Sequence, residues 1–305
     1  MAIVAQEWKQ VIGFEKELAA WGTKALGTNV DWQRFYEDDD LWMGTEVIDL
    51  SGTEESRDDV EYARGNYVFQ GNSITNIECV PDEMRQMLEC LFGAETGSNP
   101  YTYVPGVSLT SMTVWKRAGE VYAAIVGSKI NSMEFAFASG TMKVSLELRS
   151  KQIETMVSGD FPSRTHSNKK PFMFWGCVLT WGDSETSIKE GSLRFDNQLP
   201  TDDFYSGSPY TAEQAEGVRQ ITGSMTLKFE TKALADEFVN IESEKALSIT
   251  ITSPHGDTLV FTIPRIVKMP GWRIRKSEGL FRVEMPWRAY KLGASAVITA
   301  VLTTV

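Results

Sequence analysis

The chain has 305 residues, 42% of them apolar and 23% charged, which excludes wholesale disorder and leaves room for about two domains of ordinary size. Its 41 acids outweigh its 30 bases for a net charge of −11, so it lacks the cationic excess that grips nucleic-acid phosphates. Three cysteines (Cys79, Cys90 and Cys177) cannot all pair within one chain and form no CxxC, which argues against a disulfide scaffold and for folding in a reducing cytoplasm.

Met1 to Gln10 carries Glu7, Trp8 and Lys9 and no apolar stretch, so no secretory leader is expected there. No run approaches the ~18 apolar residues of a membrane helix. A Trp-rich, acidic stretch follows. Within it, Glu37 to Glu61 holds eleven acids and one base, Arg57. Asp38, Asp39 and Asp40 are consecutive and lack the Gly-centred spacing of a calcium loop, so no metal is expected.

A strand is predicted from Asn66 to Cys79. A helix follows from about Pro81 to Phe92: Pro81 suits its first turn, Asp82 and Glu83 the positive end of its dipole, and Gly93 its stop. Met84, Met87, Leu88 and Leu91 fall on one face. Strands are then predicted at Leu109–Lys116, Val121–Phe137 and Thr141–Lys151. In the last, Met142, Val144, Leu146 and Leu148 alternate with Lys143, Ser145, Glu147 and Arg149, the mark of a half-buried strand.

Ser158 to Lys170 reads as a linker. Beyond it come a strand at Val218–Glu230, a helix at about Lys232–Glu242 capped by Thr231, and strands at Leu247–Ser253, Thr258–Met269 and Gly279–Lys291. The order repeats that of the first half, and the turns Arg117–Glu120 and Pro254–Asp257 correspond. Polar stretches, Glu37–Glu61 and Pro200–Gly217, precede the pre-helix strand in each half. The expected organisation is a tandem duplication: a first β domain over 1–157 with a long acidic loop, a linker over 158–170, and a second β domain over 171–305. Ala294 to Val305 is uncharged and β-prone, and serves either as the last strand of its own domain or as an arm that pairs with a neighbouring chain.

Several segments resemble the phage tail tube family. Gly127, Ser128, Lys129, Ile130, Asn131, Ser132, Met133, Glu134 and Phe135 are similar to one of its strand motifs. Gly191 to Asn197 resembles the end of another, and Ile221 to Phe229 the strand before its helix. Ala20, Trp21, Gly22 and Thr23 resemble an opening common in such chains, and the Leu-Phe-Gly end of the first helix is also similar. Each motif alone is a strand signature; their order along the chain carries the resemblance.

The resemblance implies a mainly β fold of two tandem tube-like sandwich or half-barrel domains, each with one short helix on its sheet. It implies a structural subunit of a virion that folds in the host cytoplasm, and rings stacked into a tube through which genome DNA passes without specific binding. A duplicated chain then implies three chains per ring with pseudo-sixfold symmetry. Tail-tip and tail-terminator proteins are the partners implied at the tube ends. No cofactor is implied.

Candidate channel-wall residues are Lys143, Ser145, Glu147, Thr226, Lys228 and Glu230, on polar strand faces; a plain solvated face is the alternative. Candidate ring-to-ring contacts are Asp38, Trp42 and Met43 in the first long loop and Phe204, Tyr205 and Tyr210 in the second. Catalysis finds no motif: His166 and His255 stand in the linker and a turn, away from any recognisable nucleophile. A competing reading is a carbohydrate- or protein-binding β-sandwich that exposes Trp175, Trp181 and Trp287.

Overall fold

The computed structural model describes residues 10–18, 20–33, 37–49, 62–182, 184–200, 204–213, 215–228, 244–271, 273–277 and 280–305. The helix expected at Lys232–Glu242 lies outside them, as do Glu230 and the acidic residues 50–61.

The first half forms β1 (Gln10–Lys16), β2 (Asp31–Gln33), β3 (Asp38–Asp39), β4 (Trp42–Asp49), β5 (Tyr62–Gly71) and β6 (Ser73–Glu78). A 3-10 turn at Pro81–Glu83 leads into α1 (Arg85–Phe92). Then come β7 (Glu95–Thr96), β8 (Tyr101–Tyr103), β9 (Met112–Ala118), β10 (Val121–Phe137), β11 (Lys143–Arg149) and β12 (Gln152–Met156). The second half forms β13 (Cys177–Trp181), β14 (Ser184–Thr186), β15 (Ile188–Asp196), β16 (Gln220–Lys228) and β17 (Lys245–Thr252). It ends with β18 (Thr258–Lys268), β19 (Arg273–Ser277), β20 (Leu280–Ala289) and β21 (Thr299–Thr303). The protein is mainly β, and every pairing between these strands is antiparallel.

The same pairings occur twice in chain order. β1 joins β2 and β9 as β13 joins β14 and β17. β6 lies between β3 and β11 as β16 lies between β15 and β20. β9 pairs with β10 as β17 pairs with β18. β10 is long enough to serve two sheets: its first half pairs with β12 and its second with β11. In the second half that role is divided between β18, which pairs with β21, and β19, which pairs with β20. The halves meet where β10 pairs with β15.

Three expectations change in detail. The strand expected at Asn66–Cys79 is two strands: β5 turns away to pair with β4, and β6 stays in the main sheet on β11. The strand expected at Thr141–Lys151 stops at Arg149, and β12 crosses to the opposite sheet. The chain between α1 and β9 contains β8, which pairs with β21. Because β21 also pairs with β18, both of its edges are used inside this chain.

One hydrophobic core runs through both halves. Phe195 sits edge-on to Phe92 at 5.3 Å and to Phe135 at 6.0 Å, and Phe135 contacts Phe261 at 4.9 Å. Burying each such ring contributes about 1.5–3 kcal/mol. Helix α1 presents Met87, Leu88, Leu91 and Phe92 to this core. It stops at Gly93, whose φ of 86° lets its N–H reach Glu89 O at 2.8 Å. A Cβ there would also lie 2.2 Å from Ser108 O, so no larger residue fits.

Two buried carboxylates fix the segment between β1 and β2. Glu15 accepts from the N–H groups of Gly27, Thr28 and Asn29 and from Trp115 Nε1, at 2.7–3.1 Å. Glu17 accepts from Gly22 N, Ser111 Oγ, Thr113 Oγ1 and Gly127 N, at 2.7–3.0 Å. The stretch expected as a linker is also anchored. Phe161 packs against Trp32, Trp115 and Tyr122, and Ser163 O accepts from Trp32 Nε1 at 3.2 Å.

Candidate functional site

The main sheet runs β3–β6–β11–β10–β15–β16–β20–β19 and has two unlike faces. One face carries Val144, Leu146, Met133, Phe135, Leu193, Phe195, Met225, Leu227, Val283 and Met285 into the core. Strand geometry then forces the intervening residues onto the other face.

That polar face collects five of the six channel-wall candidates. Lys143, Ser145 and Glu147 are half-buried on β11; Thr226 is half-buried and Lys228 exposed on β16. The ladders arrange them in rows. Ser145 stands beside Glu134, then Arg194, Thr222 and Arg288. Glu147 stands beside Ser132, then Asp196 and Gln220. Thr226 stands between Glu190 and Glu284.

The signs of charge are interleaved and largely satisfied on the surface itself. Arg149 Nη2 is 2.8 Å from Glu147 Oε1, and Arg194 Nη1 is 3.8 Å from Glu134 Oε2. Ser132 Oγ donates to Glu147 Oε2 at 3.2 Å and Thr226 Oγ1 to Glu190 Oε1 at 3.3 Å. The described part of this face therefore presents fixed charge of both signs rather than a uniform cationic track.

The ring-contact candidates fall into two places. Trp42 and Met43 begin the β4–β5 hairpin, opposite Gly71 and Phe69. That hairpin meets the second long loop: Tyr67 stacks on Tyr210 with ring centroids 5.0 Å apart and planes 11° apart. Tyr67 N also donates to Pro209 O at 2.9 Å. Phe204 is half-buried in the same loop and Tyr205 is 65% exposed. Asp38 stands apart from them, exposed on β3 at the edge of the main sheet, with Thr75 opposite. The pairing of Tyr67 with Tyr210 has no local sequence signal.

The second loop is also held at its far end. Lys129, almost fully buried, lies 3.0 Å from Glu216 and 3.1 Å from Glu213. Burial raises the pKa of Glu216, but the Leu109 N–H and Lys129 outweigh it and hold the carboxyl below its ordinary value.

Of the three tryptophans considered as binding aromatics, Trp181 and Trp287 are in the core and Trp175 alone is exposed. The thiols of Cys79 and Cys90 are fully buried, which pushes both far above the ordinary range. Among the described residues no group of three or more His, Cys, Asp or Glu could hold a metal ion, and no helix is long and apolar enough to cross a membrane.

The described residues form a mainly β protein, an antiparallel framework with a broad polar sheet face. Residues 11–291 match the family described as phage tail tube protein, and the chain belongs to that family. It is therefore a structural subunit of a phage tail tube and a component of the virion tail. No curated protein matches the chain.

Proposed function

We propose that three copies of the chain close into a ring, that rings stack into a hollow tube, and that the polar face of the main sheet lines the conduit through which genome DNA leaves. On this reading Lys143, Ser145, Glu147, Thr226 and Lys228 face the lumen. Each chain supplies two equivalent tube domains, 1–157 and 171–305, joined by 158–170. The observation that carries the proposal is the main sheet itself: eight antiparallel strands, of which the six central ones set one apolar face on a core and one polar face of mixed charge opposite it. DNA slides past such a face without a grip.

The β4–β5 hairpin and the 204–213 loop form the surface that meets the next ring, with Met43, Tyr205 and Tyr210 at the contact. Tail-tip and tail-terminator proteins occupy the two ends of the tube.

Thiol accessibility tests the lumen assignment. In a Cys177→Ser background, Thr226→Cys and Ser145→Cys are assembled into tubes and exposed to two maleimides, one small and one carried on a folded protein. The small reagent labels monomers and tubes alike, while the protein-borne reagent labels monomers and leaves tubes unmodified. Equal labelling of intact tubes by the protein-borne reagent sinks the assignment.

A further inference from the structure

Within the chain, the outer edge of β10 is covered by β15. The repeated pairings give each of these strands a counterpart: β19 for the second half of β10, and β3 for β15. Among the described residues neither β19 nor β3 has a strand on its outer edge. The repeat thus contains one junction made and one junction open, and the open one has its two sides at opposite ends of the same sheet.

We infer that β19 of one chain pairs with β3 of a second copy, reproducing between chains the β10–β15 junction made within each, with Arg273 opposite Asp38. This rests on the ring reading above and identifies the edges that close the ring.

The register follows from the ladders. The first inward pair on the second half of β10 is Ile130–Leu148, and its counterpart is Ile266–Ala289. Counting back from these, Glu284 takes the place of Lys143, so its partner Arg273 takes that of Ala136. Trp287 likewise takes the place of Leu146, so their partners Gly223 and Ile74 correspond. Leu193 and Asp39 stand opposite those two, and one residue earlier Asp38 matches Ser192. Ala136 pairs with Ser192 inside the chain. Arg273 therefore meets Asp38 across chains.

Three further features fit this junction. Strand direction alternates across all eight strands, so β3 and β19 run antiparallel when two copies are placed side by side. The two edges are complementary in charge: β19 brings the exposed Arg273, and the other edge brings the exposed Glu37, Asp38 and Asp40, Asp39 being already paired with Lys116. Ile274, which the count aligns with Phe137, is 49% exposed, whereas Phe137 at the finished junction is 3% exposed. The second copy covers Ile274 as β15 covers Phe137. Such a head-to-tail contact closes into a ring when the rotation allows it.

Cross-linking of the full chain tests this pairing. Residues directly opposite on antiparallel strands have Cα atoms about 4.5–5.5 Å apart, within disulfide reach. Asp38→Cys combined with Arg273→Cys, assembled and oxidised with diamide, should give species of two and three chains on non-reducing gels, while neither single variant forms the three-chain species. In parallel, Asp38→Arg alone and Arg273→Asp alone should each lower the assembled fraction about tenfold or more, and the two together should restore it. Tubes that form without the Asp38–Arg273 cross-link, or a double reversal that restores nothing, overturn the pairing and leave the tube reading intact. Absence of rings and tubes from the unaltered chain, with or without tail-tip complex, overturns the tube reading as well.

Discussion

Lys169 Nζ lies 2.6 Å from Asp257 Oδ1 and 3.2 Å from Asp82 Oδ1, so one cation on the connecting segment ties the entry to α1 in the first half to the β17–β18 turn in the second. The Asp257 side chain has no exposed surface and also accepts from Ser253 Oγ and Val305 N. Burial raises its pKa, but Lys169 and these donors outweigh burial and hold the carboxyl below its ordinary value. Lys169→Met therefore leaves a buried carboxylate short of a partner and costs about 1–3 kcal/mol at pH 7. A depressed carboxyl pKa stabilises the fold above about pH 4, the unfolded value, and the contribution is lost as pH falls through the folded value. Urea denaturation should separate the two proteins at pH 7, and the gap should narrow as the pH falls below about 4. Equal midpoints at pH 7 would show that the clamp carries no stability.

Asp31 has the opposite sign. Burial lifts its carboxyl to about 6, against hydrogen bonds from Gln86 that pull it down. Gln86 N donates to Asp31 Oδ2 at 3.0 Å, satisfying a free N–H in the first turn of α1. A raised pKa costs nothing below the unfolded value and disfavours folding increasingly as pH rises to about 6. Asp31→Asn keeps an acceptor for Gln86 and removes the charge. It should raise stability by about 2–3 kcal/mol at pH 8 and leave it nearly unchanged at pH 4. Denaturation curves at the two pH values decide it, and an equal change at both contradicts the burial argument.

The Tyr67–Tyr210 stack joins the hairpin to the second loop. Tyr210→Ala should cost only about 0.5–1.5 kcal/mol in the subunit, because the hairpin keeps its own ladder. Ring formation should persist while tube length, measured by electron microscopy, falls. Tubes of unaltered length would remove this loop from the stacking surface.

Because β21 is paired on both edges and buries Ala300 and Leu302, removing residues 296–305 should destabilise the subunit itself. The loss exposes β8 and β18 as well as the core beneath. Size-exclusion and thermal unfolding should show a loosened or aggregated protein. A truncated chain that unfolds at the native temperature would mean that β21 contributes only to contacts outside the subunit.

The polar and apolar faces of β11 and β16 were legible because each strand is buried on one side only, which writes its geometry into alternate residues. The end of the helix was legible from Gly93, whereas Pro81, Asp82 and Glu83, expected as its first turn, form the 3-10 turn before it and α1 starts at Arg85. The division between β5 and β6 was not, since polar alternation continues through Asn72 while the partner strand changes. Asp257 read as an ordinary turn acid; only the approach of Lys169 and Val305 makes it a buried anchor. The edges of β3 and β19, which carry no further strand among the described residues, were equally hidden, because an edge is defined by what lies beside it in space.

The most direct test is electron microscopy of the purified full-length protein, dilute and concentrated, with and without the tail-tip complex. Hollow tubes are expected, with averaged rings that contain three chains and six similar lobes around an open lumen. Compact monomers under every condition, or filaments with no lumen, would contradict this assembly.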